Sequence, residues 1–170
     1  EELELWYPRI RLEEEGVRTV VAGVGEKVYT GKRGSYPVTV DVNVDQVEAR
    51  EFDGLVIPGG YAPDILRRHQ KVLSLTREIF QAGKPVAFIC HAGWVPISAG
   101  ILKGRRGTSV RAIKDDLENA GMAWEDAAVV VDGKLAYTRG YGVADIETRR
   151  AVTERTLFRV GSVTKMVAAA

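Results

Sequence analysis

Apolar residues near the start of the chain recur three and four apart. Leu5, Pro8 and Leu12 fall on one helical face, and Glu13-Glu14-Glu15-Gly16 supplies a wet end and a stop. Val17 to Val24 then reads as a strand. From Lys27 to Asn43 the alternation is looser, and Gly31-Lys32-Arg33-Gly34 interrupts it, which predicts a hairpin or a looped strand pair. Phe52 to Pro58 is a second buried strand running into Gly59-Gly60. A helix opens at Pro63-Asp64, shows its apolar face at Val72, Leu75, Ile79 and Phe80, and stops at Gly83. Residues 85–89 form a third strand, and 91–99 a helix stopped by Gly100. Ile113 and Leu117 mark a further short helix before Gly121. Residues 127–131 and 135–138 flank Asp132-Gly133 as the two arms of a hairpin.

Strands alternating with helices predict an α/β fold whose mostly parallel sheet is covered on both faces. In such folds ligands sit beyond the carboxyl ends of the strands. Gly59-Gly60 and Cys90 both fall at strand ends of that kind, so two strand tips point to one crevice. A helix opens the pattern with no strand before it. A sandwich that normally begins with a strand would lack that strand here, leaving unpaired backbone groups and an apolar slot.

A length of 170 residues suits one well-packed domain and is too short for two large ones. Lys and Arg number 24 against 23 Asp and Glu, a balance that gives no global signal for nucleic acid or anionic membrane. The small basic run Lys103 to Arg106 with Arg111 has no aromatic platform beside it and reads as a solvated loop. No apolar run approaches the ~20 residues of a membrane span. Nor is Glu1-Glu2-Leu3-Glu4 a signal peptide. A single cysteine rules out an internal disulfide framework and fits a reducing compartment, so a cytoplasmic location is expected. Two histidines and one cysteine, without recognisable ligand spacing, predict neither a metal nor a cofactor.

That cysteine, Cys90, carries the most chemistry. It ends the apolar run 85–89 and is followed by His91-Ala92-Gly93 and then Trp94-Val95-Pro96-Ile97, a strand turning sharply into a helix with a thiol at the bend. The free N–H groups of a helix start favour the thiolate, which predicts a lowered thiol pKa. His91 is the candidate base, because a sharp elbow lets adjacent side chains meet as they do not inside a regular helix. The backbone N–H groups of Gly60 and His91 are candidate oxyanion donors. A carboxylate should orient the imidazole or share a proton with the thiol, and Glu4 and Asp64 are the choices. The plain alternative for Cys90 is a small buried hydrophobe, and for His69, in Arg67-Arg68-His69-Gln70, a solvated helix residue.

These residues resemble the PfpI-type intracellular protease and protein deglycase family, within the class I glutamine-amidotransferase-like superfamily. The resemblance runs through Glu4-Leu5-Trp6-Tyr7-Pro8, Phe52-Asp53-Gly54-Leu55-Val56-Ile57-Pro58-Gly59-Gly60, Ala62-Pro63-Asp64, Ile89-Cys90-His91 and Ile113-Lys114-Asp115-Asp116-Leu117, covering about residues 1–139 in order. It implies a flavodoxin-like three-layer sandwich and a cysteine hydrolase acting on peptide bonds or on glyoxal-type adducts of proteins. Under it Cys90 is the nucleophile, His91 its base and Glu4 a contact of the thiol, while Gly60 and His91 donate to the oxyanion. Asp64 completes the triad from a neighbouring subunit, which implies a homo-oligomer, a dimer able to build a hexamer. Val110 stands where the family commonly has tyrosine after Thr-Ser, which removes a hydroxyl from the pocket wall.

From Asp132 onward the chain resembles the start of a serine beta-lactamase-like or penicillin-binding hydrolase. Ser162-Val163-Thr164-Lys165 puts hydroxyl and amine on one helical turn, but the further motifs of that chemistry do not follow. The expected organisation is therefore a cysteine-hydrolase domain over 1–139 and a foreign tail over 140–170. Two other readings stay open: a non-enzymatic redox sensor in which Glu4 stabilises an oxidised Cys90, and an inactive truncated fusion fragment.

Overall fold

The computed structural model describes residues 1–31, 34, 36–133, 143–145 and 150–151. Three parallel strand pairs run through it: β1 (Ala22–Gly23) with β4 (Val42–Asn43), β5 (Leu55–Ile57) with β6 (Val86–Phe88), and β7 (Arg106–Gly107) with β8 (Ala123–Trp124). Between the strands of the first pair, β2 (Val28–Tyr29) and β3 (Val38–Thr39) form the antiparallel hairpin expected around Gly31 to Gly34. A last antiparallel pair joins β9 (Val143–Asp145) and β10 (Arg150–Ala151). The β7–β8 pair has no counterpart in the sequence reading, since two-residue strands show no period. Residues 127–131, expected as a hairpin arm, form no strand, and the other arm lies outside the described residues.

Among the described residues five α-helices accompany the strands: α1 (Glu2–Glu14), α2 (Ala62–Leu66), α3 (Gln70–Gln81), α4 (Trp94–Ala99) and α5 (Lys114–Asn119). The single helix expected from Pro63 to Gly83 is thus two. The chain tightens as Arg68 and His69 donate their N–H groups to the carbonyls of Ile65 and Leu66, three residues back. His69 is then extended (φ −95°, ψ 114°) before α3 begins. Helices α3 and α4 stop alike. Gly83 (φ 70°) and Gly100 (φ 71°) adopt the left-handed conformation. Their N–H groups and those of the next residues then return to the carbonyls of Phe80 and Ile79, and of Ile97 and Pro96.

Alternate strand positions face the helices. Leu55, Ile57, Val86 and Phe88 pack against a core formed by Leu73 of α3, Val95 and Ala99 of α4, Leu117 of α5, and Ile113. A second cluster, Val44, Val47 and Ala49 with Leu75 and Ile79 of α3, receives Val24 and Val42 and again Leu55 and Val86. One helix thus serves both clusters. On the opposite face Val56 is 43% exposed and Ala87 is exposed, so among the described residues the helical cover lies mainly on one face of β5–β6.

Helix α1 gives no residue to either cluster. Its one fully buried side chain is Glu4, while Leu3, Tyr7 and Ile10, at i, i+4 and i+7, are exposed. Elsewhere one cation ties segments together. Lys84, just after α3, donates through Nζ to the carbonyls of Ala49 (3.0 Å) and Phe52. Lys84→Met keeps the aliphatic stem and leaves two carbonyls without their donor. It lowers stability by about 1–2 kcal/mol, read as a reduced urea midpoint with an unchanged m-value.

Candidate active site

The strand–helix bend forms at the residue expected. Ile89 is extended (φ −133°, ψ 150°), Cys90 takes φ +59°, and a 3₁₀ turn, Cys90–Gly93, leads into α4. A left-handed non-glycine residue is strained, and here the strain aims the side chain out of the strand. It brings Cys90 Sγ to 3.2 Å from His91 Nδ1. The imidazole leans on the indole of Trp94, ring centres 5.2 Å apart. Trp94 is held in turn by Nε1–H donation to Asp116 (2.8 Å) and by the Arg67 guanidinium 5.7 Å above its ring, itself anchored on Ser98 Oγ.

Glu4 arrives from α1. It is 3% exposed, and its Oε2 accepts the N–H of Gly59 at 2.7 Å. Burial raises the pKa of this carboxyl above its ordinary value, against the pull of the Gly59 bond. The thiol moves the same way. Burial raises the Cys90 pKa, and the charge of Glu4 raises it further. The backbone N–H groups of His91 and Gly60 act on the sulfur in the opposite sense without prevailing. The balance at the sulfur thus runs opposite to the expectation of a thiol activated by its helix start: burial first, and the Glu4 carboxylate second, raise its pKa above the ordinary value.

Two consequences are measurable. Glu4→Gln keeps an oxygen for the Gly59 N–H and removes the charge. Its rate of alkylation by iodoacetamide should rise at neutral pH, with the pH profile displaced downward from wild type; an unmoved or upward profile contradicts the electrostatic account. Because both pKa values are raised on folding, the folded state holds both protons more tightly than the unfolded chain. That stability is present below the ordinary values. It is lost as pH rises through the carboxylate range for Glu4 and again above the ordinary thiol range for Cys90.

Of the residues singled out from sequence, Cys90, His91, Glu4 and Gly60 come together. Asp64 does not join them within one chain; it lies in the first turn of α2, paired with Arg68. His69 is not simply solvated: its Nδ1 is buried without a partner, and its Nε2 lies 3.8 Å from Asp45. Ser162 and Lys165 lie outside the described residues. Val110 packs on the first core cluster. Sequence reasoning passed over Trp94 and Arg67 as supports for His91; the three-residue spacing of His91 and Trp94 across a helix start was the available signal. A separate cavity of about 200 Å³, lined by Arg77, Phe80, Gly100, Lys103 and Arg105 among others, shares no residue with this site. Arg77 there donates to the carbonyl of Ala99 at the end of α4 (3.0 Å), and the Arg105 guanidinium lies over the Phe80 ring. Among the described residues no helix is long and apolar enough to cross a membrane.

Comparison with known proteins bears on this site. The model of the DJ-1/PfpI family matches residues 1–151, past the boundary expected at Arg139. Deglycase TK1284 of Thermococcus kodakarensis is 51% identical over 142 residues, covering 84% of this chain and 85% of its own. The putative cysteine protease YraA of Bacillus subtilis is 37% identical over 140 residues, 82% of each chain. Among solved structures, a two-domain protein of Anabaena variabilis with DJ-1/ThiJ/PfpI-like and ferritin-like domains superposes with a TM-score of 0.75 at 39% identity, over 78% of this chain and 40% of its own. These matches carry the first resemblance read from sequence and add nothing to the serine-hydrolase resemblance of the tail.

Proposed function

The chain belongs to the DJ-1/PfpI family, and on that premise we propose that it is a cysteine-dependent hydrolase of deglycase or peptidase type, with Cys90 as nucleophile. The observation that carries the reading is the 3.2 Å approach of Cys90 Sγ to His91 Nδ1 at a strained elbow. His91 first takes the proton of the thiol. The thiolate then adds to the carbonyl carbon of the substrate. The new oxyanion faces the N–H groups of Gly60 and His91. For an acyl bond, collapse breaks the bond to the leaving amine, which receives the proton from His91. Water then hydrolyses the thioester and releases the acid. Identity of 51% to a deglycase favours glyoxal-derived adducts of amines and thiols as the substrate class.

Asp64 enters this scheme from a second copy of the chain. Its position on α2, without contact to Cys90 in its own chain, and the exposed Leu3, Tyr7 and Ile10 of α1 support an oligomeric site. The decisive assay offers the protein a methylglyoxal-modified acetylated lysine or arginine and, separately, a fluorogenic peptide, and follows release of the free amine. Turnover of the adduct that stops after stoichiometric alkylation of Cys90 is the expected result. Turnover of neither substrate, or turnover that survives alkylation, refutes the proposal.

A further inference from the structure

We propose that the cavity of about 200 Å³ at the carboxyl ends of α3 and α4 is a second binding site, which takes a small phosphate-bearing dianion. Arg77, Lys103 and Arg105 line it, and Phe80 and Ile101 supply apolar wall. The helix ends beside it are already satisfied. Gly83 and Lys84 donate their N–H groups to the carbonyls of Phe80 and Ile79, Gly100 and Ile101 donate to those of Ile97 and Pro96, and Arg77 Nε donates to that of Ala99. One cation therefore serves the carbonyl ends, and the charge of the other two is left over. Asp132 is the one carboxylate among the described residues at ion-pair distance from any of the three, 3.4 Å from Arg105 Nη1. Three cations against one carboxylate leave a surplus of two positive charges around one cavity, which a dianion neutralises.

The cations are held ready. Arg77 uses only Nε on Ala99 and keeps both Nη groups. Arg105 lies over the Phe80 ring, 4.9 Å from its centre, which limits its rotamers. Its contact with Asp132 is long and half-exposed, a kind of pair that contributes little and yields to a better acceptor. The Lys103 stem packs on Gly121, where an added Cβ would lie 3.2 Å from Lys103 Cγ. The Lys103 ammonium has neither ion pair nor hydrogen bond among the described residues. Two guanidinium forks and an ammonium suit the several acceptor oxygens of a phosphate. Phe80 and Ile101 offer a surface for a short apolar body, and the volume keeps the ligand below drug size. The basic run from Lys103 reads as a solvated loop in sequence because its aromatic neighbour, Phe80, comes from α3. No residue of the Cys90 site takes part, so the inference stands apart from the hydrolase reading.

The test titrates the full chain with inorganic phosphate, glycerol 3-phosphate and phenyl phosphate at low salt, by calorimetry and amide NMR. Dimethyl phosphate is the monoanionic control. Saturable one-to-one binding of at least one of the three, with amide shifts at Lys103 to Arg105, is expected, and the three arms separate free phosphate from an ester with a body. Dimethyl phosphate should bind about tenfold or more weakly. Affinity should fall as salt rises, and as pH drops through the second ionisation of the probe at about 6. Lys103→Gln should weaken binding about tenfold with an unchanged thermal midpoint, because Lys103 is exposed. Lys103→Arg should restore it, and Cys90→Ala should bind as wild type does. The proposal is overturned by the absence of saturable binding for all three probes, by equal affinity for dimethyl phosphate, or by affinity untouched in Lys103→Gln. It is also overturned by shifts confined to Gly60 and His91, or by lost binding in Cys90→Ala, either of which places the phosphate at the thiol instead.

Discussion

Replacing Cys90 with alanine lowers kcat/KM for adduct or peptide hydrolysis by about 10⁴-fold or more, the size of effect seen when a nucleophile is deleted from a catalytic unit. In the proposed reaction the sulfur is the atom that bonds to substrate, and nothing else near His91 Nδ1 can replace it: Glu4 is engaged with the Gly59 N–H, and Cys90 is the only cysteine. The fold is unaffected, because Cys90 is partly exposed and belongs to neither core cluster. A thermal midpoint close to wild type together with lost turnover is the combination to look for. Full turnover in the alanine variant removes Cys90 from the chemistry.

Gly59→Ala unsettles the site from the other side. A Cβ there lies 2.5 Å from Glu4 Oε2, 2.8 Å from Cys90 Cβ and 2.9 Å from the Ile89 carbonyl oxygen. The carboxylate can swing away, but the backbone at Ile89 and the strained Cys90 cannot yield without reshaping the elbow. The substitution therefore costs about 2–3 kcal/mol in stability. It also displaces Glu4 from the Gly59 N–H, so turnover falls along with the chemical-denaturation midpoint. Gly83 supplies the comparison: an added side chain there is strained by the positive φ of 70°, which Gly59 does not have, yet its Cβ meets nothing within 4 Å. Gly83→Ala should cost only the backbone term of about 1 kcal/mol and leave turnover unchanged. Equal losses at both glycines would show that the crowding at Gly59 is not what matters.

Much of this was readable from sequence where a local signal existed. The apolar runs before Gly59-Gly60 and before Cys90 became the paired parallel strands Leu55–Ile57 and Val86–Phe88. The spacing of Leu75 and Ile79 became the buried face of α3. The sequence Cys90-His91 at the end of an apolar run became an elbow with the two side chains in contact. Arg106–Gly107 and Ala123–Trp124 were not readable, because their pairing lies between segments seventeen residues apart and neither has a pattern of its own. The break at His69 escaped because the apolar residues on either side keep one helical rhythm across it. The sign of the thiol shift escaped for a different reason. Local backbone argues for activation, and tertiary burial of the sulfur, with the Glu4 carboxylate arriving from α1, reverses the balance.

The sparse seating of α1 gives Glu4 a second meaning. With no apolar anchor in either core cluster, the first helix reaches the strand tips through a buried carboxyl group and its bond to the Gly59 N–H, while Trp6 packs edge-on against Tyr36 and Glu13 accepts from Thr19. Burial raises the pKa of that group while the Gly59 bond, which favours the ionised form, pulls it down, so the contact that seats the helix at the strand tips is also a titratable one beside the thiol.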